Sequence, residues 1–476
     1  MPNQIAIIHG WSDTSASFAD LTGFLGRQGF DVAQIWLGDY VSLDDDVRIE
    51  DVAKRMETVL RAAIAAGDLT PPFDLIVHST GGLVAREWLA TFYPDGQGCP
   101  VKRLLMLAPA NFGSRLAALG KSMIGRVAKG WNNWFQTGEE MLRALELGSP
   151  YQWRLARRDL FDVDGDGRAG PYGPGKVLPF VITGSRAYSG GLRTIVNENG
   201  SDGTVRVCAA NLNAVGMTID FAANPAAPEV NLWRRRTDVE FPCAVLPDRD
   251  HGAVAHPSQA SQADPATSDL AGRLIVQALR CASDQEYQAI HGEWNALSEA
   301  TAGLADDKAR REAMFAKNRP DPQIYHQHMQ ASVRVVDDHH LPVPDYFLEF
   351  FSPGAAGTKD SEFFHAEVLS HVHVNSTDPS YRCLFMDRTD LATRYYARLR
   401  NPALRKLAVS ISAAKIGPNV RYFDSTKEGA SGHHIVHEAY KDQAAKPHDR
   451  LYRNRTHFIE VIIPRQPVAK VFSLSQ

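Results

Sequence analysis

The sequence predicts an α/β protein: a doubly wound parallel sheet over residues 1–285 with a helical insertion, a helical connecting segment over 286–330, and a β-sandwich over 331–476. Three observations predict it. From Ile5 to about Arg280, short apolar runs suited to strands buried on both faces alternate with amphipathic segments. A polar, helix-forming stretch follows, and beyond Ala331 the runs are short, alternating, and punctuated by Pro, Gly, Asp and Asn. A chain of 476 residues also exceeds what one core fills, so two or three domains are expected.

The strand candidates of the first part are IAIIHG (5–10), DVAQIWL (31–37), FDLIVHS (73–79), RLLMLAP (103–109), VLPFVITG (177–184) and CAVLP (243–247). Between the second and third, Ile49, Val52, Met56, Val59, Leu60 and Ile64 recur at three- and four-residue steps and predict a helix; GLVAREWLATF after Ser79 predicts another. The gap between the fourth and fifth runs is too long for a simple crossover, so an insertion over about 113–175 is expected. In it Leu116, Leu119, Met123, Val127, Trp131 and Trp134 form one apolar helical stripe, interrupted by Gly120, Gly125 and Gly130. The β-rich part contains SVRVVDD, YFLEFF, HAEVLSHVHV, YRCLFM, KLAVSISA, NVRYF, HFIEVIIP and AKVFSLS, read as strands of an immunoglobulin-like sandwich.

Composition narrows the function classes. With 51 Lys+Arg against 55 Asp+Glu and no long block of one sign, a nucleic-acid footprint is not indicated. No apolar run is long enough to cross a bilayer. The start MPNQIAIIHGW lacks the basic, apolar and small-residue regions of a secretory signal; a cytoplasmic protein is expected, with leaderless secretion the remaining export route. The five cysteines are widely spaced without a CxxC pair, which argues against a disulfide framework or zinc ribbon.

The chemistry centres on LIVHSTGGLVAREWL (75–89). A buried strand ending at Ser79, followed at once by Thr80, Gly81, Gly82 and a helix, puts the serine at the apex of a tight strand-turn-helix. The helix start directs free N–H groups and the positive end of its dipole at any oxyanion formed there. HSTGGLVAR resembles the nucleophile segment of the α/β-hydrolase lipases and esterases, in motif nearest to bacterial lipases and GPI-inositol-deacylase-like serine hydrolases. The resemblance covers roughly the first 280 residues. One departure is Val77, which stands where the motif usually has its first glycine; it predicts that the following helix is set slightly aside around the Val77 side chain.

The resemblance implies roles for four elements. IIHGWSD after the first strand matches an oxyanion loop, so the N–H groups of Trp11 and Thr80 are the expected oxyanion donors, with His9 structural. Asp202 in NGSDGTVRV is the expected acid, with Asp248 and Asp250 as rivals; His251 in LPDRDHGAVAHP is the expected base, with His256 second. The order Ser, Asp, His is the order this fold requires. The implied activity is hydrolysis of carboxylic esters of lipid-like substrates (lipase, phospholipase or carboxylesterase) through an acyl-enzyme. The alternatives are acyl transfer with the same triad, or a lipid- or partner-binding protein with a degenerate hydrolase part. The insertion then reads as a lid making transient contact with a lipid surface, or as a fixed cap.

No cofactor is required by this chemistry, but DVDGDG offers Asp162, Asp164 and Asp166 at positions one, three and five of a calcium-loop pattern, with Gly173 where a full loop has its bidentate Glu. A structural calcium bracing the lid base is the corresponding expectation. Twelve of the 17 histidines follow residue 320, and His371 and His373 share a strand face without a recognisable ligand set. The sequence does not indicate a partner for the β-domain.

Overall fold

The structure is a computed structural model. It describes all residues except 1–3, 11–17, 33–34, 41–43, 118–137, 189–196, 226–227, 248, 258–269, 316–324, 353–357, 402–403, 425–433, 439–450 and 475–476. The chain divides into two compact units: Met1–Asn213 with Arg234–Lys308 and Asn318–Tyr325, and Ala214–Trp233 with Ala309–Lys317 and His326–Gln476.

The first unit is built on a six-stranded sheet of β1 (Ile5–Ile8), β2 (Ile35–Gly38), β3 (Phe73–His78), β4 (Val101–Leu107), β6 (Leu178–Gly184) and β10 (Cys243–Leu246), in the order β10-β6-β4-β3-β1-β2. Every pairing is parallel. Each of the six apolar runs is therefore a strand. A small antiparallel pair, β5 (Phe161–Asp162) with β9 (Arg234–Arg235), lies outside this sheet. On one face the side chains of Ile5, Ile7, Ile76, Leu105 and Phe180 form a core with α1 (Ala19–Arg27), helix Leu270–Arg280 and the first turns of helix Asp284–Phe315. Because strand side chains alternate, Leu75 and Val77 point to the opposite face, which carries α2 (Ile49–Ala66) and α3 (Gly81–Phe92). The sheet order reverses between β1 and β3, and ligands bind at the carboxyl ends of such a pair of strands.

The described part of the insertion is fixed to the core. Helix Pro150–Asp159 starts with Ser149 accepting from the Tyr151 N–H, with proline at its first position. Its Asp159 pairs with buried Arg86 of α3 through Nε (2.8 Å) and a second nitrogen (3.1 Å), and the Tyr151 hydroxyl and Arg158 reach Glu87. Burial opposes the Arg86 charge, but Asp159 more than offsets this and the guanidinium pKa is raised. The apolar stripe from Leu119 to Trp134 lies outside the described residues.

The second unit holds a six-stranded sheet, β13 (Leu369–Val374), β14 (Tyr381–Asp387), β11 (His328–Asp337), β18 (Thr456–Ile463), β7 (Val215–Asp220) and β8 (Glu229–Leu232), in that order. It also holds a three-stranded sheet of β12 (Tyr346–Phe351), β15 (Lys406–Ala413) and β17 (His434–Glu438), and a pair, β16 (Val420–Tyr422) with β19 (Arg465–Pro467). Met329, Val333, Val335 and Val461 of the larger sheet share one apolar core with Leu348, Phe350, Val409 and Ile411 of the smaller.

Several details differ from the sequence reading. Residues 214–233 leave the range 1–285: β7 pairs in parallel with β18, so the hairpin β7–β8 completes the second unit's sheet. The parallel pairs β11–β18 and β18–β7 also depart from an all-antiparallel immunoglobulin-like arrangement. The run HAEVLSHVHV begins inside helix Thr358–Glu367, whose Phe364 is buried together with Val368 just past its end. Among its described residues, AKVFSLS forms the turn Ala469–Val471, and Phe472 and Leu474 are exposed.

Candidate active site

Strand β3 is buried along its whole length and delivers Ser79 to the carboxyl edge of the sheet. Ser79 has φ of 54°, a conformation rare for a residue with a side chain and strained by roughly 1–3 kcal/mol. Its N–H donates to the Leu107 carbonyl (3.1 Å), and its own carbonyl accepts from Gly82 (3.1 Å) and Ala110 (3.2 Å), which hold the turn in place. The neighbours must be small. A methyl group at Gly10 would lie 2.6 Å from the Ser79 Cβ, and one at Gly81 would lie 3.0 Å from the His9 carbonyl oxygen. The methyl group at Gly81 would also lie 3.4 Å from the Val77 Cβ, so the missing side chain of Gly81 leaves the space that Val77 occupies at the base of α3.

The structure brings Ser79, His251 and Asp202 together. His251 Nε2 is 3.0 Å from Ser79 Oγ, and His251 Nδ1 is 2.9 Å from Asp202 Oδ2; all three residues are buried. With Nδ1–H donating to the carboxylate, Nε2 is the free base that faces the hydroxyl. Asp202 is held by its turn: Oδ1 accepts from the N–H groups of Thr204 (2.9 Å) and Val205 (2.8 Å), leaving Oδ2 for the imidazole. Gly203 has φ of +97°, and a methyl group there would lie 2.6 Å from the Tyr188 ring, which explains Gly after Asp. His251 is tied to the same turn, its N–H donating to the Asp202 carbonyl at 2.8 Å.

The rivals are engaged elsewhere or not described. Asp250 Oδ1 accepts from the Ala253 N–H (2.9 Å), and His256 Nδ1 lies 3.2 Å from Asp20. Asp248 and Trp11 lie outside the described residues. Thr80 caps α3 at the position expected of an oxyanion donor. His9 is buried, stacked on Tyr40 at 4.8 Å and 3.2 Å from Asp39, consistent with a structural role.

His78 was not singled out from the sequence. Its Nε2–H donates to the His251 carbonyl at 3.1 Å, and the two rings are 4.9 Å apart. The available signal is its place next to Ser79, where a side chain crosses to the sheet's other face.

Among the described residues, Asp162, Asp164 and Asp166 do not form one group of converging ligand atoms. Asp162 accepts from the N–H groups of Asp166 (2.9 Å) and Gly167 (3.1 Å), Asp164 pairs with Arg157, and Asp166 pairs with Arg236 (2.8 Å), which holds its pKa well below the usual carboxylate range. Counting Arg234 at 3.6 Å from Asp162, three arginines contact the loop's carboxylates. His371 and His373 do share a face of β13, their rings 6.4 Å apart. Among the described residues, the group whose ligand atoms converge is instead His326, Asp387 and Asp390.

No family model matches the chain, and no curated protein matches it. Among solved structures it is similar to phospholipase PlaB from Legionella pneumophila, with a TM-score of 0.77 and 24% identity over 100% of this chain and 96% of that one. The same phospholipase in complex with thio-NAD gives a TM-score of 0.75 and 23% identity over 99% and 96%. Mature lipase BlEst2 from Bacillus licheniformis aligns over 44% of this chain and 80% of that one, with 18% identity and a TM-score of 0.32. The likeness to PlaB shows the fold: a parallel α/β sheet unit with an added mixed-sheet domain, shared along the whole chain.

Proposed function

We propose that the chain is a serine hydrolase of carboxylic esters, acting on lipid-like and in particular phospholipid substrates through an acyl-enzyme. The observation that carries this reading is the continuous relay from Asp202 Oδ2 through His251 to Ser79 Oγ, with links of 2.9 and 3.0 Å. Ser79 Oγ attacks the ester carbonyl as His251 Nε2 takes its proton; Asp202 keeps Nδ1 protonated and steadies the imidazolium. The backbone N–H groups of Thr80 and Trp11 receive the oxyanion. The imidazolium then protonates the leaving alcohol, and water, activated by the same imidazole, frees the acid.

The lipid assignment is supported by the similarity to a phospholipase over the whole chain and by the apolar stripe with Trp131 and Trp134 in the insertion. The stripe is assigned a transient contact with the lipid surface. A panel of short esters, triglycerides and phospholipids, each assayed as monomer and as micelle, tests this. Phospholipid hydrolysis rising above the critical micelle concentration is expected, and hydrolysis confined to short soluble esters would overturn the lipid assignment while leaving the esterase reading standing.

A further inference from the structure

The second unit contains a buried side-chain cluster that the ester chemistry does not use. His326 Nδ1, Asp387 Oδ2 and Asp390 Oδ2 lie within 4.8 Å of one another, and all three residues are buried. His326 Nδ1 is 2.6 Å from Asp387 Oδ2 and 3.8 Å from Asp390 Oδ2, while His328 Nε2 is 3.6 Å from Asp387 Oδ2. The backbone accounts for the convergence. His328 and Asp387 are direct cross-strand partners of β11 and β14, His326 precedes β11 by two residues, and Asp390 lies one helical turn after Asp387.

We propose that His326, Asp387 and Asp390, with His328 beside Asp387, form a structural site for one divalent transition metal ion of the zinc class. A tetrahedral ion with ligands at about 2.0–2.1 Å sets its donors about 3.3 Å apart, and the separations of His326 Nδ1 from the two carboxylates, 2.6 and 3.8 Å, bracket that value. Imidazole together with carboxylate donors suits zinc and its transition-metal neighbours; magnesium and calcium prefer all-oxygen shells.

The outer atoms are braced as those of metal ligands usually are. His328 Nδ1–H donates to the His326 carbonyl (3.2 Å), which turns Nε2 toward the cluster. Asp387 Oδ1 accepts from the Asp390 N–H (2.9 Å), leaving Oδ2 to face the histidines. Asp390 Oδ1 is 3.1 Å from Arg394 Nε, leaving its Oδ2 likewise; Arg394 is in turn balanced by Glu367. Two carboxylates side by side in a buried place also repel. A dication neutralises both. It would staple the end of the β11–β14 pair, on which the unit's larger sheet is built.

The test uses the untagged full chain, stripped with a chelator and titrated with Zn²⁺ and separately with Co²⁺. Expected are one tightly bound ion per chain, visible d–d absorption of tetrahedral Co²⁺ displaced by Zn²⁺, and a higher melting temperature with metal. Asp390→Asn and His326→Gln each weaken binding by at least about tenfold. The double variant His371→Gln/His373→Gln keeps both stoichiometry and spectrum, which separates this site from adventitious binding on the histidine-rich surface. Absence of the Co²⁺ bands in the wild-type chain, or their loss only in the His371/His373 variant, would overturn the proposal. The wild-type spectrum decides the matter even where a ligand variant fails to fold.

Discussion

A single methyl group on Gly10 tests how closely Ser79 is held. In Gly10→Ala the new carbon would sit 2.6 Å from the Ser79 Cβ, 3.1 Å from the His78 carbonyl oxygen and 3.3 Å from His78 Nδ1. Reaching ordinary contact with the serine requires the two segments to part by about 0.8 Å, and the clash is with chain that cannot swing away as a long side chain would. Overpacking of this size destabilises by about 1–3 kcal/mol, which leaves the protein folded. Its effect on chemistry is larger, because the Ser79–His251 link is only 3.0 Å and a displacement near 1 Å costs ~100-fold in rate. The assay is kcat/KM on a soluble p-nitrophenyl ester, with thermal melting alongside. Gly292→Ala, placed where nothing lies within 4 Å of the new methyl group, is the control and keeps full activity. If Gly10→Ala retained activity within threefold of wild type with an unchanged rate of active-serine labelling, the close fit between the ends of β1 and β3 would not position the serine as argued.

Asp202→Asn is expected to fold normally and lose about 10⁴-fold in kcat. Its amide oxygen stays with the N–H groups of Thr204 and Val205, so the NH₂ faces His251 Nδ1 and forces the wrong tautomer, which a flat pH–rate profile in place of the wild-type histidine limb would report. Asp159→Ala strands the buried Arg86 guanidinium and lowers stability by ~3–5 kcal/mol in urea denaturation, whereas the Arg86→Met/Asp159→Leu double variant recovers most of this. His457 gives a pH dependence. It is fully buried and neutral, Nδ1–H donating to the Gln330 carbonyl and Nε2 accepting from the Tyr452 N–H, and burial lowers its pKa from 6.5 to about 4. As pH falls below 6.5 the unfolded chain takes up this proton first, so stability is lost by about 1.4 kcal/mol per pH unit until about pH 4, roughly 3 kcal/mol in all. His457→Gln, which cannot titrate, flattens that slope in melts between pH 7 and 4.

Much of the first unit was legible because its signals are local. Each parallel strand is an uninterrupted apolar run, and a serine between a buried strand and a glycine-rich helix start declares a turn wherever it occurs. The order of Ser79, Asp202 and His251 also survives in one dimension. What the sequence hides is pairing over distance. Nothing in VGMTID points to β18, which lies more than two hundred residues downstream, so the hairpin β7–β8 could not be assigned to the second unit. The same holds for the buried cluster: His326 and Asp387 are brought together by the register of β11 on β14, and their spacing matches no short ligand motif. In the DVDGDG loop the long-range partners are likewise invisible in the sequence. Its local pattern is that of a cation loop, but Arg234 and Arg236, about seventy residues on, take the carboxylates. His78 escaped notice because a side chain beside a nucleophile gains meaning only once the His251 carbonyl is seen above it.

The central claim is that Ser79 is an activated nucleophile, and covalent labelling tests it most directly. The full chain is treated with a fluorophosphonate, its intact mass recorded and the modified peptide sequenced. The account predicts one adduct per chain, on Ser79, absent from Ser79→Ala and slowed by orders of magnitude in His251→Ala, with Ser79→Ala losing at least about 10³-fold in ester hydrolysis. An unlabelled Ser79 in a folded protein, or ester hydrolysis undiminished in Ser79→Ala, would contradict it.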